Sequence, residues 1–515
     1  MFDFASILAG FGDVFTLWNL GFVICGVAIG QLVGAIPGIG PIMAMAIAIP
    51  FTFGLDPLPA ISFLVGINKG GLVGGAVPAV LINTPGTPDA AATALDGYPL
   101  SRQGKQLKAT KMALFSSVTG DTVSDLVLIT VSAPLAALAL MMGPVEVFAL
   151  VVFAFSVIAA LIGESVVKGL IATVLGLFFA TVGADPENTT PRLIFGHYEL
   201  YDGLPLISVA IGMLVISEIL RRLALQGRAA VAAVQTQVPA SPQDRRVSWA
   251  EYWSCRYVLL RGAAIGTVLG ALPGIGSTAA AFMSYAATKS TAKDPESFGK
   301  GNIKGIAAAE SANSAVVGAN LIPLLTLGIP GSVGAALIVS AFMIHGIQPG
   351  PLLFQEQGRL VYGLFGAMVM ANFANLWIGQ VGLRLWVRVV RAPESLVFAS
   401  ALMLCIVGVS MSTGGIFGVG VMLAFALLGY LMLVTGYSVV IFIIAFFLGP
   451  QFEISIGQSL ALMNGDLGRI VSYPIALLLL GLSVFVVGAI ALNRTRQTRH
   501  RANHPPLATG ENTDD

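Results

Sequence analysis

Two asparagines open the same spaced pattern in this chain. Asn68 is followed by Pro78, Pro85, Gly86 and Thr87, and Asn313 by Pro323, Pro330, Gly331 and Ser332, so N-x9-P-x6-P-G-[TS] occurs twice. A second doubled motif lies upstream: residues 30–41 read GQLVGAIPGIGP and residues 266–277 read GTVLGALPGIGS, identical at seven of twelve positions. Proline and glycine inside apolar segments free backbone N–H and C=O groups that lipid cannot satisfy, so such breaks persist where protein or a water-lined cavity supplies partners. A helix interrupted there presents a half-helix N-terminus with unpaired donors and partial positive charge, suited to a carboxylate. The C-terminal ends and unwound carbonyls suit a cation such as Na⁺. The spacing therefore nominates an anion-binding set of Asn83, Thr84, Pro85, Gly86 and Thr87, with Lys69, and its match in Thr326, Gly328, Pro330, Gly331 and Ser332. The corresponding cation-binding set is Asn68, Asn313, Glu310, Gly38 and Gly274. The bland alternative is that the prolines are tolerated kinks and Gly-x-x-x-Gly at 30–34 and 266–270 is helix contact.

Lys69, Asp89, Asp96 and Glu310 lie in or beside these motifs. An ionisable group at membrane depth is costly unless paired and is a functional candidate by default. Lys69 would neutralise a substrate carboxylate or pair with an acid such as Asp89. Glu310 would ligate a coupling cation, take a proton, or stand as a helix-start carboxylate favoured by the dipole. Asp96 in LDGYP reads as an interfacial turn residue. Asp121 and Asp125, one turn apart, read equally as an ion path or a local polar face. His345 reads as a satisfied packing residue, and Cys25, Cys255 and Cys405 as isolated buried fillers.

The elements that must carry these residues are transmembrane helices. Of 515 residues 56% are hydrophobic and only 10% charged, against roughly 25% charged in a soluble domain. Counting apolar runs long enough to span, and allowing for breaks, predicts about ten to twelve crossings. A net charge of +1 without an aromatic-interleaved basic stripe gives no support to nucleic-acid binding. No Lys or Arg precedes Lys69, so the first apolar segment, residues 15–33, reads as a retained span rather than a cleaved signal. Basic groups at Arg102, Lys105, Lys108 and Lys111, at Arg221, Arg222, Arg228, Arg245 and Arg246, at Arg384, Arg388 and Arg391, and at Arg494, Arg496, Arg499 and Arg501 mark cytoplasmic sides. The acidic segment 185–202 marks a periplasmic one. Spans are expected at about 112–142, 144–162, 166–183 and 204–221.

The division that follows is a first half at 1–222, a cytoplasmic linker at 223–256, a second half at 257–493 and a cytoplasmic tail at 494–515, disordered from His500. Two halves with the same motifs in the same order imply a duplicated unit. The second half is entered from a basic side (Arg256, Arg261) and the first from an uncharged terminus. Opposite entry predicts an inverted-topology repeat. The expected fold class is an all-α polytopic membrane protein of two such repeats with broken helices or re-entrant hairpins.

Residues 83–108 (NTPGTPDAAATALDGYPLSRQGKQLK), residues 310–332 (ESANSAVVGANLIPLLTLGIPGS) and the doubled PGIG segments resemble the large permease subunit of the bacterial tripartite tricarboxylate transporters. The resemblance runs from about Gly21 to Arg391. It implies a secondary transporter driven by a Na⁺ or H⁺ gradient in the bacterial inner membrane, working with a small membrane subunit and a periplasmic substrate-binding protein. It also implies a small organic anion as substrate, a di- or tricarboxylate such as citrate. Two positions depart from the family's pattern: Ser314, where a second Asn is expected, and Lys69, where an aromatic or neutral residue is usual. Lys69 therefore bears on substrate charge. A passive anion channel and an intramembrane enzyme are the competing readings. Against the enzyme, His197, His345, His500 and His504 are scattered, no nucleophile has a base at useful spacing, and no Walker A motif occurs. No cofactor beyond the coupling ion is expected.

Overall fold

The computed structural model describes residues 4–36, 40–162, 165–186, 188–225, 242–389, 394–413 and 415–503. In chain order the helices are α1 (Phe4–Val14), α2 (Leu17–Gly34), α3 (Gly40–Ala48), α4 (Pro57–Ile82), α5 (Ala90–Leu100), α6 (Gln106–Ala139), α7 (Pro144–Ile162), α8 (Val166–Ala180), α9 (Leu206–Ile211) and α10 (Ser217–Leu225). They continue as α11 (Trp249–Ser254), α12 (Arg256–Ala271), α13 (Gly276–Ser290), α14 (Ile303–Leu327), α15 (Val333–Ile344), α16 (Leu353–Glu356), α17 (Gly358–Val389), α18 (Glu394–Ser412), α19 (Ile416–Val434), α20 (Val439–Leu462) and α21 (Pro474–Asn503). Among the described residues the strands are one two-residue antiparallel pair, Gly183–Ala184 with Pro191–Arg192.

The chain is an all-α multi-pass membrane protein. Six segments are long and apolar enough to cross a bilayer, and six further apolar helices run 10–17 residues. Two of the short ones, 40–54 and 333–344, directly follow a Pro-Gly break. An unbroken-length criterion therefore finds fewer spans than a count of apolar runs.

Glycines set how the helices meet. A Cβ added to Gly26 would stand 2.3 Å from the Phe63 carbonyl oxygen, one on Gly30 2.3 Å from that of Ile67, and one on Gly34 2.1 Å from that of Gly71. Both numbers in each pair rise together, so α2 and α4 run parallel with their backbones in contact. In the second half Gly266 meets the Ala312 carbonyl and Gly270 meets Val316, so α12 and α14 are parallel too. The registers agree: Ile67 and Ala312 directly precede the motif asparagines, and Gly71 and Val316 stand three residues beyond them. The Gly-x-x-x-Gly segments are thus helix contacts.

Helix α6 lies parallel to α14, with Gly120 against the Ser311 carbonyl and Gly318 against Asp125. It lies antiparallel to α4, because Lys69 meets Asp125 while Val77 lines a small cavity with Thr110 and Leu114. The C-terminal turns of α4 (Ala76, Val80) share an apolar cluster with the first turns of α14 (Ile306, Ala307). The helices bearing the two N-x9-P-x6-P-G patterns therefore run in opposite directions.

Several sequence expectations change here. The segments before the two loops, expected to be interrupted helices, are instead continuous: α4 and α14 run unbroken to Ile82 and Leu327, with Pro78 and Pro323 inside them. Glu310 is not at a helix start, since α14 begins at Ile303. Asp96 is inside α5 rather than in a turn, because its carboxylate has a better use described below. Cys25 is exposed, while Cys255 and Cys405 are buried; Cys25 sits on the outer face of α2. The His345 Nε2 has no partner, and the residue caps the C-terminus of α15. Helix α21 continues through Asn503, so the first part of the tail is helical; the remainder of the tail lies outside the described residues. Most of the expected linker, with Arg228, also lies outside them, and its described end carries the short helix α11. Arg391 lies outside them as well.

Candidate functional site

The two short helices that follow the PG-[TS] loops pack across the halves. Helix α5 lies against α13 and α14, and α15 against α3 and α4. Each loop begins with a left-handed residue ending its helix, Asn83 (φ 54°) after α4 and Gly328 (φ 72°) after α14. Asparagine and glycine are the residues that tolerate this conformation. The loops then reach the backbone of the Gly-x-x-x-Gly helices. The Gly86 N–H donates to the Gly75 carbonyl at 3.2 Å, and a Cβ on Gly86 would stand 2.2 Å from the Gly34 oxygen. In the second half the Gly274 N–H, at φ 92°, donates to the Gly331 carbonyl at 3.0 Å. Gly38, the counterpart of Gly274, lies outside the described residues.

The matched asparagines cross over. The Asn68 amide, half-buried, lies against Gly334 at the first turn of α15, 3.1 Å from where a Cβ would be. Asn313, fully buried, faces the Asp89 carboxyl together with Thr87 and Ser277. Asp89 and Gly334 hold the same place after their loops, two residues beyond Thr87 and Ser332. None of these side chains closes a hydrogen bond on Asp89 Oδ2, and Thr87 Oγ1 and both Asn313 amide atoms also lack partners.

Glu310 is buried on the same face of α14, and its carboxylate is held from both sides. Thr93 Oγ1 donates to Oε1 at 2.5 Å and Ser117 Oγ to Oε2 at 2.7 Å.

A second buried centre forms around Lys69. Its Nζ lies 2.6 Å from Asp125 Oδ2 and 3.5 Å from Asp121 Oδ1, and it donates to Asn372 Oδ1 at 2.8 Å. The Asn372 amide nitrogen donates to Asp125 Oδ2 at 2.7 Å. Lys69 thus pairs with the α6 aspartates and not with Asp89. Three helices contribute, and α17 supplies an asparagine that sequence reasoning missed. The available signal was Asn372 with Asn375, three residues apart in the otherwise apolar stretch 360–379. Asn375 binds Gln31 of α2 at 2.8 Å. Thr93, Ser117 and Ser277 were also missed, because single hydroxyl residues in apolar helices carry no spacing pattern.

The remaining nominated residues divide by position. Asn83 and Thr84 are exposed at the start of the first loop, and Thr84 Oγ1 donates to the Ile82 carbonyl at 3.3 Å. Pro85 is half-buried, while Gly86, Thr87, Pro330 and Gly331 are buried. Ser332 caps α15, its Oγ accepting from the Ala335 N–H at 3.2 Å. Thr326 turns its hydroxyl onto its own helix, donating to the Ile322 carbonyl at 2.7 Å.

Away from the centre, Asp96 fastens α5 to the approach to α14. Its Oδ1 accepts from the N–H groups of Gly299, Gly301 and Asn302 at 2.8, 2.9 and 2.8 Å, and its Oδ2 from the Tyr285 hydroxyl at 2.8 Å. Arg192, in the acidic loop 185–202, pairs with Glu453 and lies 3.3 Å from Asp185.

The chain is 35% identical over 504 residues to a protein of Agrobacterium vitis named "Uncharacterized 52.8 kDa protein in TAR-I ttuC' 3'region", covering 97% of this chain and 99% of that protein. It is 35% identical over 234 residues to another from the same organism, named "Uncharacterized protein in TAR-II ttuC' 3'region", covering 45% of this chain and 97% of that protein. No solved structure matches. A family model described as the Tripartite tricarboxylate transporter TctA family matches residues 20–444, a span that includes both loops, both buried centres and the crossed asparagines. The chain belongs to the tripartite tricarboxylate transporter TctA family.

Proposed function

We propose that the chain carries a di- or tricarboxylate-type organic anion into the cell, driven by a Na⁺ or H⁺ gradient, by alternating access. The observation that supports this best is the crossing of Asn68 and Asn313 between two segments that share a motif and run in opposite directions. That arrangement fits an inverted-topology repeat with its site where the broken elements meet. In this reading the first turn of α15, with Ser332, Gly334 and Asn68, receives a substrate carboxylate at a helix N-terminus. Thr87, Gly86 and the first turn of α5 form the matching wall. Lys69 is committed to Asp125 and Asp121, so its part is to bind α4, α6 and α17 together beside the site.

The partners that go with this function are a small membrane subunit and a periplasmic binding protein. The C-terminus lies in the cytoplasm and the protein in the bacterial inner membrane. The test is reconstitution of the chain in liposomes with its small subunit and a carboxylate-loaded binding protein. Uptake should depend on an inward Na⁺ or H⁺ gradient and fall at least tenfold in Thr87→Val/Ser332→Ala. Uptake that ignores both ion gradients would instead identify a passive anion channel.

A further inference from the structure

We infer that Asp89, Thr87, Asn313 and Ser277 form a site for a dehydrated alkali cation, for which Na⁺ is the probe. The inference specifies the ion-coupled reading above, yet binding can be measured without transport.

Asp89 is 4% exposed, Thr87 3% and Asn313 0%. The Asp89 Oδ2, the Thr87 hydroxyl and both polar atoms of the Asn313 amide are buried and close no hydrogen bond of normal length, although Thr87, Asn313 and Ser277 all lie within electrostatic reach of the Asp89 carboxyl. One unpartnered buried polar atom is expensive; four such atoms gathered at one carboxyl describe a place for something else. The donors are a carboxylate, an amide carbonyl and hydroxyls, all hard oxygens, and hard oxygen donors around a single negative charge match a monovalent cation.

The neighbouring carboxylate makes the contrast. Glu310 has its two oxygens held by Thr93 and Ser117, so it offers no vacant ligand. The duplicated scaffold supplies a second contrast. At the place equivalent to Asp89 stands Gly334, facing Asn68, so one of two matched positions carries a carboxylate and the other does not. The ligands also come from both halves: Thr87 and Asp89 from the loop after α4, Ser277 from α13 and Asn313 from α14. A cation held here ties the halves together.

The test uses the purified full chain in detergent, titrated with NaCl against KCl and choline chloride at constant ionic strength. Thermal unfolding and direct ²²Na⁺ binding are both followed. A ligand that binds only the folded state raises the unfolding temperature saturably, so Na⁺ should do so and choline should not. Asp89→Asn should abolish the Na⁺ effect, and Thr87→Val and Asn313→Ala should each weaken apparent Na⁺ affinity tenfold or more. Thr130→Val, whose exposed hydroxyl serves only its own helix, should match wild type. Should Asp89→Asn not fold, the Thr87 and Asn313 variants decide the matter.

Identical unfolding curves in Na⁺ and choline, or a Na⁺ effect that survives in these variants, overturn the site. Proton release from Asp89 with no Na⁺ response overturns it as well, in favour of a proton carrier. Na⁺ binding with gradient-independent uptake refutes the transport reading and leaves the site standing. Na⁺-driven uptake without Na⁺ binding at these residues does the reverse.

Discussion

Lys69 and Asp125 meet at 2.6 Å where neither side chain is reached by solvent, and Asn372 hydrogen-bonds to both. Removing one member of such a pair leaves an uncompensated charge in a low-dielectric setting, which costs about 3–5 kcal/mol. Lys69→Met should lower unfolding stability by that order, measured in detergent by chemical or thermal denaturation. Adding Asp125→Asn should recover part of the loss, because one of the two stranded carboxylates is then removed. A Lys69→Met protein as stable as wild type would show that the pair is not formed.

Gly30 and Gly266 should be among the least replaceable small residues. Their missing side chains let α2 touch α4 and α12 touch α14, with carbonyl oxygens 2.3 and 2.2 Å from the position a Cβ would take. Valine at either site must push two helices apart, at about 1–3 kcal/mol or more. Gly12, with nothing within 4 Å of an added Cβ, should accept alanine without effect. Folded yield by size-exclusion chromatography separates these outcomes.

Asp96→Asn keeps the shape of the clamp but replaces a charged acceptor with a neutral one. Hydrogen bonds to charged groups are worth about 1.5–3 kcal/mol each against about 1 for neutral pairs. Amide exchange at Gly299, Gly301 and Asn302 should therefore speed up at least tenfold, with little change at Ala335 in α15. Unchanged exchange at the three amides would refute the clamp.

Outside the membrane-spanning helices, burial pushes the Glu251 carboxyl up, but hydrogen bonds from Lys108 and Ser248 outweigh it and hold the group net below its ordinary range. A carboxyl lowered on folding stabilises above its unfolded value and loses that contribution as pH falls through the folded one. The docking of α11 on α6 through Lys108 should thus persist at neutral pH and loosen below about pH 4. Emission from Trp249 and Trp253, with Trp18, Trp377 and Trp386 replaced by Phe, should report the transition. Lys108→Met should shift it to higher pH.

The paired motifs were legible because prolines and glycines in lipid leave a sequence trace, and they led to the loops that the fold brings to its centre. Helices such as 144–162 were legible by length and apolarity alone. What pairs with what was not. Asp89 or Asp125 could each have taken Lys69, and the choice depends on α4 and α6 crossing antiparallel, which no local pattern encodes. Glu310 was misplaced because the residues before it, IKGIAAA, do not announce a helix start, yet α14 begins there with Asn302 as its cap. Asp96 was misread because Asp-Gly favours turns locally, whereas three distant backbone N–H groups decide its role.

The Asp96 clamp has no twin. Counted from the matched loops, its counterpart is Ala341, which can accept nothing from the chain before α4. Separating α5 from α13 and the approach to α14 must break four hydrogen bonds to one carboxylate, and separating α15 from its neighbours breaks none at the matched position. The scaffold is thus a loaded die: its two matched ends, alike in motif, differ in what it costs to part them.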